Sequence, residues 1–364
     1  MEIIFGETGR ETVWREEDTL VLEFPRPQVV CSTSSLNGGI TKGIRALLNQ
    51  TCPPVETSRE LPGGSVEGYL ALIAKKRGFE PQVTTGLLTA ASQRNAAVSC
   101  LSFRDLKVLA VVTGGIDHNG GRPGDPASYY EENGQYHLLA GTINILLAVN
   151  AFLPPPSMLK AIITATEAIS GALTELLASS CYSAELATGS GTDGIIVASD
   201  PAAGLKLTDA GSHSKLGELI GKTVREAVKR ALVLETGFTP QRQLNVMARL
   251  KRYGIDEGVI WEDFEKHHPG RLSPDGYKLI LNKLAGQPEL VSAVSCLLHL
   301  ADQVRWDLLS PEAAWPAARG TLHSVGIELD RAVFCSPSGT KGESPLVQAL
   351  LQGLHSLVLR QAGV

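Results

Sequence analysis

Gly141-Thr142-Ile143-Asn144-Ile145-Leu146-Leu147-Ala148-Val149-Asn150 opens the stretch that decides the fold, and Ala187-Thr188-Gly189-Ser190-Gly191-Thr192-Asp193-Gly194-Ile195-Ile196-Val197-Ala198 closes it. The first segment is apolar and β-rich, as a buried strand is, with Thr142 and Asn144 on one face by the period of two. Between the two segments, Ser157 to Ser179 repeats at helical spacing behind Pro154-Pro155-Pro156, which suits a helix start. Gly189, Gly191 and Gly194 then make a tight loop before a second β-branched run. The pattern predicts a strand–helix–strand unit with polar residues at its ends.

Within the helix, Thr164, Glu167, Gly171 and Thr174 recur at three- and four-residue steps and share a face. Glu167 is the sole ionisable residue between Lys160 and Glu175. A carboxylate among small and apolar groups tends to have its pKa raised, which suits a general acid or base. An ordinary solvent-facing stripe is the plain alternative.

Working outward, short strands are expected over residues 11–15, 20–24 and 28–32, the alternation being clearest in Leu20-Val21-Leu22-Glu23-Phe24. Ser32-Thr33-Ser34-Ser35-Leu36-Asn37-Gly38-Gly39 follows. Such a run exposes backbone N–H groups that could hold an anion or an amide carbonyl; otherwise it is a solvated turn. Residues 46–65 read as a loop, 66–77 as an amphipathic helix closed by Gly78, and 106–114 as an apolar strand. That strand empties into Asp117-His118-Asn119-Gly120-Gly121-Arg122-Pro123-Gly124-Asp125-Pro126, dense in groups that build sites. Gly211-Ser212-His213-Ser214-Lys215 opens a helix reaching about residue 234, with Ser212 or Ser214 as its cap. From Pro240 onward, helices are expected at 244–253, 276–284, 288–309 and 345–359, with a charged cluster over 261–271.

At 364 residues the chain has room for about two domains. Apolar content of 43%, charged content of 20% and a net charge of −5 describe a soluble globular protein and disfavour nucleic acid as a partner. The six cysteines are scattered without a CxxC pair, which argues for reduced thiols and against a zinc site. No secretory leader and no apolar run long enough for a membrane span are visible, so a cytoplasmic protein is expected. Gly217-Glu218-Leu219-Ile220-Gly221-Lys222-Thr223 falls one residue short of a phosphate-binding loop and lies in a helical pattern. There is no HExxH, no GxSxG and no dinucleotide-binding glycine set. A metal site or nicotinamide cofactor is therefore not expected.

Seven stretches in order resemble the adenosylcobinamide amidohydrolase (CbiZ) family. They are Ser34–Gly39, Thr85-Gly86-Leu87-Leu88-Thr89-Ala90-Ala91, Arg122-Pro123-Gly124-Asp125, Gly141–Ile145, Thr164-Ala165-Thr166-Glu167-Ala168, Ala187–Asp193 and His213-Ser214-Lys215-Leu216-Gly217. The resemblance covers roughly residues 20–235. It implies hydrolysis of the amide between the corrin propionyl arm and 1-amino-2-propanol, in cobalamin salvage, with the corrinoid as substrate and no required cofactor. Two departures stand out: Asn119-Gly120-Gly121 where the family has an Asn-Ala pair, and Ile169 where it often has Lys.

Amide hydrolysis needs a nucleophile, oxyanion stabilisation and an acid for the leaving amine. Glu167 or Asp193 is expected as the base activating water, and His118 or His213 as the acid; Thr192 or Ser183 as a nucleophile is the other route. Backbone amides of the two glycine-rich loops, with Asn144, would stabilise the oxyanion. Ser35, Asn37, Asn119, Arg122, Asp125, Thr142, Asn144, Thr188 and Thr192 are expected to bind the carboxamide-rimmed substrate. The competing class is a non-catalytic corrinoid-binding or regulatory protein. The expected fold is α/β or mixed α+β. A mixed β-sheet with packed helices forms a catalytic domain over 1–237, followed by a mainly helical extension over 238–364. A homo-oligomer is compatible with this sequence, and no membrane partner is expected.

Overall fold

The structure, a computed structural model, describes residues 1–6, 11–130, 141–329 and 344–364. Two compact units divide the chain, Met1–Thr239 and Pro240–Val364. In the first, strands β1 (Glu2–Gly6), β2 (Thr12–Glu16), β3 (Thr19–Ser32) and β4 (Gly39–Thr51) precede helix α1 (Val66–Lys76). Strands β5 (Thr84–Thr89), β6 (Ala97–Phe103), β7 (Leu106–Gly114), β8 (Gly120–Gly121) and β9 (Ile143–Val149) lead to α2 (Pro155–Glu175). The unit ends with β10 (Gly189–Ser190), β11 (Gly194–Ser199) and α3 (Lys215–Thr236).

Nine of these strands form one mixed sheet. β9 and β11 pair in parallel, as a strand–helix–strand unit requires, while β3 joins β11 to the antiparallel β4. β3 changes partner along one edge, from β2 over residues 19–23 to β11 over residues 29–32. Pro25 and Pro27 fall between those two pairings, where the register with β4 also slips. Proline lacks the N–H a ladder needs, so it is tolerated at such an irregularity.

Alternation then sorts the side chains into layers. Leu20, Leu22, Ile44 and Leu47 meet Leu109, Val111, Leu146 and Ile196 inside the folded-over sheet. The opposite faces of β7, β9 and β11 present Val108, Ala110, Ile145, Leu147 and Val197 to α2 and α3. Val21, Ala46 and Leu48 pack under α1. Each such buried Val, Leu or Ile side chain stabilises the fold by about 1.5–3 kcal/mol before entropy is counted. The architecture is mixed α+β, a helix–sheet–sheet–helix stack.

The expected loop over 46–65 begins later than anticipated. Ala46-Leu47-Leu48-Asn49-Gln50-Thr51 completes β4 because it pairs with both β3 and β5. The second unit is helical in its described residues: α4 (Val246–Leu250), α5 (Glu257–His267), α6 (Pro274–Ala285), α7 (Pro288–Arg305), α8 (Pro311–His323) and α9 (Pro345–Ala362). The charged stretch over 261–271 is largely α5. Asp256 caps it, accepting from Gly258 N and Val259 N, and Ile260 and Phe264 bury one face. Among the described residues no helix is long and apolar enough to cross a membrane. Cys335, expected as a reduced thiol, lies outside the described residues; Cys31, Cys52, Cys100, Cys181 and Cys296 form no disulfide.

Candidate active site

Parallel pairing sets Asn144 of β9 opposite Gly194 of β11, so the segments entering both strands emerge side by side. The short β8–β10 pair, Gly120↔Ser190 and Gly121↔Gly189, hangs the Asn119–Asp125 loop over the same end. Together with Thr33 after β3 and Ile162, Thr166, Ile169 and Ser170 of α2, these segments enclose a cavity of about 780 Å³.

Asp193 lies in its wall. Its Oδ1 accepts from Ile143 N at 3.0 Å and Ser190 Oγ at 2.5 Å, and its Oδ2 accepts from Ser190 N at 2.9 Å. Gly189 is required here, because a Cβ at that position would lie 2.4 Å from Oδ2. Burial pushes the Asp193 carboxyl from 3.8 up to about 6, against the downward pull of the bonds from Ser190 and Ile143. The native state therefore holds an extra proton between these two values. Stability is lost as pH rises through that window, by on the order of 3 kcal/mol at neutral pH. Perturbed carboxyls in clefts cluster at functional sites, which makes Asp193 a candidate.

Around it, Asn119 Nδ2 donates to Gly141 O at 2.8 Å and to Thr192 Oγ1 at 3.3 Å, while Tyr182 donates its hydroxyl to Asn119 Oδ1 at 2.6 Å. Thr192 Oγ1 donates to Gly141 O, and Thr142 Oγ1 to Thr192 O. Arg122 pairs with Glu185 at 2.6 Å. Asp125 closes the same loop, accepting from Arg122 N and Ser180 Oγ. Burial would raise the Asp125 carboxyl, yet the Ser180 and Ser183 hydroxyls and Arg122 together hold it below the usual range.

Of the residues expected from sequence, Asp193, Asn119, Arg122, Asp125 and Thr188 line this one cavity, and Thr142 and Thr192 brace its wall. Others stand elsewhere. Asn144 points into the buried sheet interior, where Nδ2 donates to Asn49 Oδ1 and Leu88 O. Asn37, at φ 51°, ties its loop to the segment entering β5 by donating to Pro81 O and Thr84 O. Ser35 is exposed and outside the cavity wall. His118 is exposed on the loop before Asn119, again outside the wall. Ser183 faces Asp125 rather than Asp193.

Glu167 is exposed to solvent on α2 rather than shielded by its small and apolar neighbours; Thr166 and Ser170 face the cavity instead. His213, also exposed, immediately precedes the cap of α3. Lys215 there sits 4.6 Å over the Phe103 ring at the β6–β7 turn. That turn lies beyond the Val149 end of β9, whereas Asp193 lies at the Ile143 end. Seven residues of strand separate them by roughly 20 Å.

Sequence reasoning missed Ser190, Tyr182, Thr33, Thr166 and Ser170. The spacing Ser190-x-x-Asp193 was a legible signal for one of them, since hydroxyl and carboxylate three residues apart close tight turns. Tyr182 sits in an irregular stretch with no such sign. Among the described residues no group of three or more His, Cys, Asp or Glu is placed to hold a metal ion.

The profile of the adenosylcobinamide amidohydrolase family matches residues 4–240. An uncharacterised protein of Methanocaldococcus jannaschii is 34% identical over 230 residues, which span 60% of this chain and 87% of its own. Among solved structures, a β-aminopeptidase from a Burkholderia species overlaps 64% of this chain and 82% of its own at 14% identity and a TM-score of 0.34. An L-aminopeptidase D-Ala-esterase/amidase from Ochrobactrum anthropi overlaps 70% and 91% at 13% identity and a TM-score of 0.33. Structural overlaps this loose carry nothing further about this chain.

Proposed function

Because the chain belongs to the adenosylcobinamide amidohydrolase family and is thus a hydrolase acting on amide bonds, we propose that its substrate is adenosylcobinamide itself. Cleavage of the aminopropanol amide would give adenosylcobyric acid and 1-amino-2-propanol, a step in corrinoid salvage. The observation that carries this reading is the Asp193 carboxyl, half-buried in a cavity wall, hydrogen-bonded to Ser190 and Ile143, and raised to about 6. At pH 7 such a group is mostly ionised and still basic enough to take a proton from an attacking oxygen. The same carboxyl, once protonated, returns the proton to the departing amine, a role that His118 and His213 are poorly placed to fill. Asn119, Arg122 and Thr188 supply polar groups for the substrate's carboxamides. The first unit holds this cavity, so catalysis is assigned to it, with the helical unit as an extension.

Incubation with adenosylcobinamide without nucleotide should yield adenosylcobyric acid by mass analysis; a corrinoid recovered unchanged would place the protein in the binding class instead. The base acts ionised and its pKa is raised, so kcat/KM should fall about tenfold per pH unit below about 6 and level off above pH 7. A rate flat from pH 5 to 8 would remove Asp193 from the reaction.

Glu167 provides the contrast. With its side chain in solvent and outside the cavity wall, Glu167→Gln should keep turnover within about twofold of wild type, as surface changes usually do. A loss of 10² or more would return the proton-transfer role to it.

A further inference from the structure

We propose that Ser190 is the nucleophile, its Oγ forming an acyl-enzyme while Asp193 takes the Oγ proton. This rests on the amide-hydrolase reading above and names the atom that attacks. Ser190 stands in the cavity wall with its hydroxyl donating to Asp193 Oδ1 at 2.5 Å, the nucleophile-to-base reach such chemistry needs. Neighbouring hydroxyls lack that partner: Thr33, Ser170 and Thr192 donate to the carbonyls of Ile195, Thr188 and Gly141, which take no proton.

A second serine–aspartate pair at the same end makes the comparison sharp. Ser180 donates to Asp125 at 2.6 Å, but Ser180 is buried and outside the cavity wall. Asp125 also takes Arg122 N, and its carboxyl is held low, a weak base fastened into a loop. Asp193 has the raised pKa and the cavity-facing partner. Gly191, next in the chain, lines the cavity and its N–H has no partner among the described residues. That N–H is available as a donor to the oxyanion.

The steps balance without any co-reactant but water. Ser190 Oγ bonds to the amide carbon as its proton passes to Asp193. The C–N bond breaks, and Asp193 returns the proton to the amine nitrogen. Water then attacks the Ser190 ester and gives a proton to Asp193. The C–Oγ bond breaks, and that proton restores the serine hydroxyl.

The test uses the full chain with adenosylcobinamide, with and without hydroxylamine. Wild type should release aminopropanol at an unchanged rate while hydroxamate replaces part of the acid, the partition expected of a shared acyl-enzyme. Ser190→Ala should lose about 10³-fold or more in kcat, with corrinoid affinity, read by spectral titration, within a few-fold. Because Ser190→Ala also removes a turn hydrogen bond, the wild-type partition decides the matter if that variant folds poorly. Acid as the sole product at high hydroxylamine, or a folded Ser190→Ala turning over within tenfold of wild type, overturns the proposal while leaving the amidohydrolase reading intact. Wild type that leaves the amide uncleaved overturns that reading itself.

Discussion

Asp193→Asn is expected to lower kcat by about 10²–10⁴-fold, the usual weight of a general base, with the fold retained. The side chain keeps its shape, and Asn Oδ1 still accepts from Ile143 N and Ser190 Oγ. Its amide nitrogen then faces Ser190 N, which donated to Oδ2, and two donors in contact cost about 1–3 kcal/mol. Relief of the buried charge offsets that cost at neutral pH, since the ionised form is what burial disfavours there. The variant should therefore melt within a few degrees of wild type, lose its acid limb in the rate profile and still bind corrinoid. Thermal unfolding, a pH–rate series and spectral titration measure the three. Turnover near wild type would exclude Asp193 as the base and leave its raised pKa as a structural cost.

Asn144→Leu is expected to do the opposite, damaging stability and sparing chemistry. Asn144 Nδ2 reaches from β9 to Asn49 Oδ1 on β4 at 2.9 Å and Leu88 O on β5 at 2.8 Å, fastening the two halves of the folded-over sheet. Asn49 Nδ2 continues the chain to Thr113 Oγ1 at 2.7 Å, and Asn49, Thr113 and Asn144 are all buried. Leucine fills the volume but strands two buried acceptors, each worth about 1–3 kcal/mol. A total of roughly 2–5 kcal/mol would lower Tm by about 5–15 °C in a unit of this size. The folded fraction should retain kcat within about threefold. A normal Tm with kcat down by 10² would show that Asn144 serves the oxyanion after all.

That residue also shows where sequence reading stops. The period of two sets Asn144 on the same strand face as Leu146 and opposite Ile143 and Ile145, because alternation is a property of the strand itself, but it does not say what that face meets. Whether that face meets substrate or a second layer of sheet depends on β4 and β5 folding over it, some 95 and 56 residues distant in the chain. The helix is similar. Thr166 and Glu167 are adjacent, yet one residue turns the side chain by about 100°. Only the packing of α2 against β11 and α3 decided that Thr166 faces the cavity and Glu167 the solvent.

What the sequence determined by itself was local. The apolar run of β9, the helical repeat of α2, the glycines around Asp193 and the β-branched β11 each follow from neighbouring residues and their backbone preferences. Even the Ser190–Asp193 bond is a three-residue matter, legible in principle. The burial that raises Asp193 is not local. It required β8 to pair with β10 and α2 to lie along β11, bringing residues 33, 119–125 and 162–170 around the cavity in whose wall this carboxyl stands. Desolvation is a sum over distant segments, and so the upward shift of this carboxyl is a property of the tertiary structure.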